Sequence, residues 1–412
     1  MRAREARRLI DSAASAIKGG VKQYKYLYQK MLDKEYIRKA YKRLRKGKTK
    51  RSEIKYIDAH LDDEVEAMRT MILNTKPEGV PVPNPELAFR PKKHKPKIIF
   101  EHGKKRRIYM PEIHEQWLHH IIVLILEPII TATAYPFSCG SFPGRGAHHA
   151  KKRLERWIRS GKGIRNFAKI DIRHFYDSVR LDILMRELSI RIKDDWFLNI
   201  IKVCLSEFKK GIPLGFYISQ WLANYLLEPL DKFITETLHI NIMERYMDDV
   251  VMMDDNKKKL HQAIIEIMKF IGRRFRLKLK RTWQVCKFWY EKGVKVVRGK
   301  EKKHIIGREI NYMGFLFERD KTGIRKSIML SATRLAAKMR KVKQSGRAYY
   351  RKHIQAMLSY MGWFNCTNTY DCYTKYIKPN IRVGKLKKII SKLDRRNHHY
   401  ERVERGTLCL AA

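Results

Sequence analysis

The stretch that most constrains the fold is Glu244-Arg245-Tyr246-Met247-Asp248-Asp249-Val250-Val251-Met252-Met253, two acids at a tight turn between two apolar runs. Residues 240–246 and 250–253 read as short strands, because β-branched and aromatic residues flank a polar pair suited to a turn. Asp248 and Asp249, side by side, repel one another unless a proton or a cation intervenes, and a divalent metal is the natural resolution. An ordinary solvated hairpin turn, where Asp is also favoured, needs no metal. What separates the two is whether a third carboxylate and a nucleotide-holding loop lie upstream.

Both have candidates. Phe167 to Ile172 has strand character and brings Asp171 to its end, where a carboxylate can face the tip of a neighbouring hairpin. Asp177 reads instead as the cap of a following helix. In 211–226, Pro213 and Gly215 punctuate a loop, and apolar residues at 218, 221, 222, 225 and 226 give a helical stripe. Ser219 and Gln220 start that helix, either touching a nucleotide or simply opening a helix. Residues 138–146 form a turn-rich segment whose three glycines permit close backbone approach to a ligand, with Arg145 as a charged contact. Residues 90–107 alternate basic and apolar character around a turn at Gly103, a hairpin suited to clamping a triphosphate.

Charge narrows the class. With 90 Lys and Arg against 42 Asp and Glu, the formal net charge is +48, far beyond what solubility requires, and a polyanionic partner such as nucleic acid is the economical explanation. A hydrophobic content of 44% indicates a folded chain. The six cysteines, Cys139 through Cys409, form no Cys-x-x-Cys pair, so neither zinc site nor disulfide framework is implied. The most apolar segment, 121–130, carries Glu127 and Pro128 and is too short to span a bilayer, and Met1 to Glu5 lacks a signal core. No membrane partner is expected, and the expected location is the cytoplasm.

Elsewhere the chain reads as mostly helical. Tyr24, Leu27, Tyr28 and Met31 fall on one helical stripe, and a basic block covers 38–48, either a solvated face or a helix that tracks a nucleic-acid backbone. A Pro- and Gly-rich segment, 74–85, predicts a break. An amphipathic helix is expected over 257–279, a further hairpin over 308–317 and 323–327, and basic helices over 330–395, with Trp363 in their core.

Taken together, Asp171 with Tyr176 five residues on, Leu214-Gly-x-x-x-Ser-Gln220, and Tyr246-Met-Asp-Asp249 make roughly residues 90 to 380 resemble a bacterial reverse transcriptase. That resemblance implies an α+β right-hand polymerase: a basic helical extension and linker (1–85), fingers (86–160), an α/β palm on an antiparallel sheet (161–325), and a helical basic thumb and tail (326–412). It assigns Asp171, Asp248 and Asp249, with the Ile172 carbonyl, to two Mg²⁺ ions, for which Mn²⁺ is a substitute. Tyr176 would lie beneath the incoming sugar and discriminate against a 2′-hydroxyl. Gly215 and Gln220 would lie near the templating pair, with Arg106, Arg145 and Lys280 as further nucleotide contacts. Tyr246, Tyr312, Gly314, Phe315, Arg325 and Lys326 would lie along the primer and template.

The implied activity is RNA-directed DNA synthesis from an RNA template, a DNA or RNA primer and dNTPs. A structured non-coding RNA and a small basic accessory protein are further implied partners. Two motifs depart from the family pattern. Phe142 stands before the Pro-Gly where many relatives have Arg, and Leu214 and Gln220 replace the Gln and Pro of the Gln-Gly-x-x-x-Ser-Pro typical of retroviral and intron enzymes. The Leu214 and Gln220 pattern is similar to that of the diversity-generating retroelement enzymes and the related phage-defence groups. The alternatives are a phage-defence enzyme working on a non-coding RNA or without a template, an RNA-templated RNA polymerase, which the bulky Tyr176 disfavours, and a non-catalytic RNA-binding protein on the same fold.

Overall fold

The computed structural model describes residues 22–101, 104–208, 210–297 and 300–393. The Gly103 turn, Met1 to Glu5 and Cys409 lie outside the described residues. The chain forms two compact units, residues 1–157 with 161–286, and 158–160 with 287–412.

The first unit opens with α1 (Leu27–Met31), α2 (Lys34–Arg45), α3 (Ser52–Ala59) and α4 (Leu61–Asn74). In α2 the Asp33 carboxylate caps the Glu35 N–H, and Ile37, Ala40, Tyr41 and Leu44 form the buried stripe. The helix expected to begin at Tyr24 starts only at Leu27. Tyr24 exchanges backbone hydrogen bonds with Arg191 and Lys193, and Tyr26 takes a left-handed φ of 57°. Part of the basic block serves internal ion pairs, Arg38 with Asp62 and Arg45 with Asp58, both at 2.7 Å. These helices share the core of the unit across the Pro- and Gly-rich segment: the Trp117 indole donates to the Ile37 carbonyl at 2.9 Å.

A hairpin follows, β1 (Lys97–Glu101) against β2 (Lys104–Ile108), with Ile99 opposite Arg106. Next comes α5 (Ile113–Thr133), which extends beyond the 121–130 apolar run on both sides and continues through Pro128. It is the one helix among the described residues long and apolar enough to cross a membrane. Most of it is buried in the core, with Trp117, Ile121, Ile122 and Leu126 wholly enclosed. The bond that Pro128 cannot make is tolerated because packing on both sides holds the helix together.

The sheet of this unit has five strands. In chain order the elements are β3 (Ser138–Cys139), α6 (Ala147–Ser160), β4 (Asn166–Asp171), α7 (Phe175–Ser178), α8 (Leu181–Arg191), α9 (Asp195–Leu205), α10 (Tyr217–Lys232), β5 (Ile242–Tyr246), β6 (Asp249–Asp254), α11 (Lys257–Phe275) and β7 (Gln284–Lys287). Their spatial order is β3-β5-β6-β4-β7, with β6 antiparallel to both neighbours. Val250 to Met253 are all buried, as a central strand covered on both faces requires, and α11 packs on β4 and β6. Asp177 lies inside α7 rather than capping a following helix. The α11 helix stops at Phe275 because Arg276 turns left-handed at φ 57°, which sends 277–280 back alongside the end of β4.

The second unit holds a two-stranded ribbon, β8 (Tyr290–Val297) and β9 (Lys300–Ile306), and a three-stranded sheet, β10 (Ile310–Tyr312), β11 (Phe315–Phe317) and β12 (Thr322–Ile324). Helices α12 (Lys326–Gln344) and α13 (Arg351–Phe364) follow, and with Ile324, Ile377 and Ile381 they build a separate core. Trp363 packs against Phe315 at 4.7 Å between ring centroids, the core position expected for it. The hairpin expected over 308–327 is a three-stranded meander, since Thr322 to Ile324 pairs back on β11.

Candidate active site

The turn between β5 and β6 is held from below. Arg245 is 1% exposed, and its Nε and Nη2 each donate to Asp231 of α10 at 2.6 Å. Its Nη1 donates to the Met247 carbonyl at 2.8 Å and to Asn224 Oδ1 at 3.1 Å. Ser138 donates to the same Asp231 carboxylate, and Asn224 Nδ2 donates to the Gly140 carbonyl at 2.9 Å. One buried guanidinium thus fixes a helix, a loop and the turn, with Met247 at φ 57°.

Gly140 is explained by that turn rather than by a ligand. At φ 91°, a Cβ here would come within 2.9 Å of Met247 Cγ. At Gly144 and Gly146 the same position faces open space.

Three acids meet above this support. Asp171 ends β4 directly opposite Asp249, which is itself opposite Tyr246, and the Ile172 N–H donates to the Asp248 carbonyl at 3.3 Å. Lys280 reaches Asp171 twice, by its backbone N–H to the carbonyl at 2.8 Å and by Nζ to Oδ2 at 2.6 Å. Lys169 Nζ lies 3.1 Å from Asp249 Oδ2. Burial pushes Asp249 up to about 6, opposed by Lys169 and assisted by Asp171 and Asp248. Asp248 is also pushed up, by burial first and then by Asp171, with Lys280 and Arg106 opposing.

For an acid raised from 3.8 to about 6, the stability it confers is fully present below its unfolded value and is lost as pH rises through the folded one. At neutral pH Asp249 therefore sits charged at a cost that a cation relieves.

The donor set suits a hard divalent ion, which takes oxygen ligands and keeps several waters. Asp171 Oδ1 is buried with no hydrogen-bond partner, an open acceptor aimed into the site. Among the described residues, however, no three His, Cys, Asp or Glu side chains already form a metal cage. Two of the three acids are engaged by ammonium groups instead, so metal entry requires Lys169 and Lys280 to yield.

Other expected site residues are gathered unevenly. Burial, reinforced by the charge of Asp248, holds the Tyr176 phenol well above its ordinary value while Arg106 opposes, so hydroxyl, carboxylate and guanidinium lie within electrostatic reach. Gly215 sits at φ 107°, where a Cβ would fall 2.0 Å from the Tyr109 carbonyl, and Leu214 accepts from the Tyr109 N–H at 2.7 Å. The hairpin bearing Arg106 is thereby pinned to the loop before α10. Gln220 is exposed and accepts from Ser141 at 3.0 Å. Arg145 instead donates to the Tyr135 carbonyl at 3.2 Å and lies over the Phe142 ring.

In the second unit, Tyr312 and Phe315 are wholly buried, with Met313 at φ 51° and Gly314 at the turn between them. Gly314, at φ 87°, lies against Trp363 and Ile328, and its carbonyl accepts from Arg325. Arg325 Nε donates to Asn311 at 2.8 Å, and Lys326 is exposed at the start of α12. The residues sequence reasoning missed are Lys169, Asn224, Asp231 and a structural role for Arg245. Asn224 and Asp231, seven residues apart and buried with Glu228 on one helix, were the available signal.

Residues 91–317 match the family described as reverse transcriptase (RNA-dependent DNA polymerase). Protein YkfC of Escherichia coli (strain K12) is 24% identical over 155 residues, covering 32% of this chain and 38% of that protein. The group II intron-encoded protein LtrA of Lactococcus lactis subsp. cremoris is 28% identical over 143 residues, covering 32% of this chain and 23% of LtrA. The match thus spans well under half the length of these curated relatives. Among solved structures, telomerase from Candida albicans in complex with a TWJ fragment of telomeric RNA is similar at 13% identity and a TM-score of 0.42, over 75% of this chain and 60% of that one.

Replacing Asp231 by Ala leaves Arg245 buried without its counter-charge, which costs about 3–5 kcal/mol. A lowered urea midpoint is expected. The paired change Asp231→Leu with Arg245→Met should recover most of it, and an Asp231→Ala midpoint equal to the parent's would show that the pair does not hold the turn.

Proposed function

Since the chain belongs to the reverse transcriptase family, we propose that it is an RNA-directed DNA polymerase, extending a DNA or RNA primer along an RNA template with dNTPs. The observation that carries this reading is the register that sets Asp171 opposite Asp249, with Asp248 on the turn between the paired strands. A module that only binds RNA has no use for three converging acids in a chain of net charge +48.

The family works with divalent metal ions. In this chain Asp171, Asp248 and Asp249, with the Ile172 carbonyl, would hold two Mg²⁺, or Mn²⁺ in their place. Bound there, the ions would lower the pKa of the primer hydroxyl and stabilise charge on the departing pyrophosphate. The side chains themselves position and neutralise: Arg106 meets the triphosphate, and Tyr176 occupies the space a 2′-hydroxyl would need. Lys280 and Lys169, on yielding the carboxylates, remain beside the reacting phosphates as cations. Catalysis of this kind draws on positioning and electrostatics rather than on a protein nucleophile.

Leu214 and Gln220, in place of the Gln and Pro of intron enzymes, favour service in a diversity-generating retroelement, in the cytoplasm. The same feature supports the alternative of phage defence with a non-coding RNA. The relatives that match include an intron-encoded protein, so this pair of residues is what sets the proposal apart from an intron role.

Asp248→Asn should abolish metal-dependent dNTP incorporation on a primed RNA template while leaving RNA binding within about twofold, since the lost charge makes no phosphate contact. Retained synthesis would rule out the assigned site. In the same assay Tyr176→Ala should admit rNTPs, and unchanged dNTP over rNTP preference would remove Tyr176 from sugar discrimination.

A further inference from the structure

The β1–β2 hairpin is a two-stranded sheet of its own, and its Ile98 and Phe100 are 48% and 77% exposed. Such a ribbon is marginal in water unless something holds it. Its two feet are held. At the end of β2, the Tyr109 N–H donates to the Leu214 carbonyl, and the Tyr109 ring packs on Phe208 at 4.9 Å. Before β1, the chain is held at His94, three residues ahead of Lys97.

His94 is clasped by two carboxylates. Its backbone N–H donates to Glu207 Oε1 at 2.7 Å, its Nδ1 lies 2.6 Å from Glu207 Oε2, and its Nε2 lies 2.8 Å from Glu115 Oε2. An ionised carboxylate only accepts, so the ring serves both by donating from both nitrogens, as the imidazolium. The three side chains are 7%, 18% and 6% exposed for His94, Glu207 and Glu115, which shelters these bonds from water. Phe216 closes the cluster, its ring 5.1 Å from that of His94 and 4.8 Å from that of His119. Both feet of the hairpin therefore rest on residues 207–216, the segment that leads into α10.

Burial works against a charge on His94, but Glu207 and Glu115 outweigh it and hold the ring above its ordinary value. Burial raises Glu115, and His94 opposes that rise. The other groups around the clasp are neutral or already paired. His119, 3.9 Å from Glu115 Oε1, is pushed down by burial to about 3, and burial keeps Cys204 a thiol. Glu112 is taken by Lys92 at 2.9 Å. A histidine raised on folding gives stability that is fully present below its unfolded value and is lost as pH rises through the folded one. The clasp therefore loosens on the alkaline side of the ordinary histidine range.

Arg106 stands opposite Ile99 on this hairpin, within electrostatic reach of Asp248. With so little of the ribbon packed, the stance of Arg106 depends on the feet. We propose that His94 is a positioning residue for the incoming nucleotide: clasped between Glu207 and Glu115, it fixes the foot of β1 and so the reach of Arg106 to a triphosphate. This rests on the polymerase reading.

The test uses the full chain with His94→Gln, Glu207→Gln and, as a control, Lys55→Gln at an exposed position of α3. Two quantities are read: hydrogen–deuterium exchange of the 97–108 amides without nucleotide, and KM and kcat for dNTP on a primed RNA template. In both clasp variants the 97–108 amides should exchange about fivefold faster. KM should rise about tenfold with kcat within about twofold, the mark of lost binding rather than lost chemistry. The control should match the parent. From about pH 6 to 9 the parent's KM should climb toward that of His94→Gln, whose own KM changes less.

Parent-like KM in both variants, a fall in kcat with KM unchanged, or faster exchange without a change in KM overturns the positioning role. Should His94→Gln misfold by far-UV circular dichroism, Glu207→Gln, which keeps the shape of the side chain, is the variant to read. A parent inactive on every primed template would sink the polymerase reading; faster exchange at 97–108 in the variants would still establish the clasp, and unchanged exchange would overturn it as well.

Discussion

Everything at the turn between β5 and β6 depends on a charge placed where charges are expensive. Arg245 and Asp231 are both enclosed, and taking two ions out of water costs more than their attraction returns unless every donor and lone pair is used. Here they are used: the guanidinium serves Asp231, Asn224 and the Met247 carbonyl, and Asp231 also accepts from Ser138. Apolar packing would give equal stability without direction. The ion pair gives direction, because a planar fork of donors fixes the angle between α10 and the hairpin, and with it where Asp248 points.

Another electrostatic problem sits on top of the first. Three carboxylates are brought together at strand ends, and burial with mutual repulsion raises Asp248 and Asp249 above the ordinary range. Lys280 and Lys169 relieve part of this and leave Asp171 Oδ1 unsatisfied. A cation placed among these acids would offset the cost of their charge, and the family works with divalent metal ions.

Local pattern made the acid hairpin legible. Two β-branched runs around a polar pair gave β5 and β6, and Asp171 at the end of Phe167 to Ile172 gave β4. The basic hairpin and the α10 stripe were legible for the same reason. What escaped were features set by partners distant along the chain. Tyr24 has helical spacing but pairs with Arg191 and Lys193 instead. Pro128 breaks isolated helices, yet core packing carries α5 through it. Gly140 has the spacing of a ligand-facing glycine, but Met247 fills the space beside it. The β8–β9 ribbon mixes lysine with valine and shows no clean alternation. Asp231 and Asn224 acquire meaning only once the hairpin lies across them.

Metal binding by the full chain without nucleic acid tests the shared site most directly, with Mn²⁺ uptake followed by electron paramagnetic resonance. Saturable binding in the parent, lost when Asp171 and Asp248 are both changed to Asn, is the expected result. Equal Mn²⁺ uptake by the parent and the double variant would contradict a metal site built from these acids.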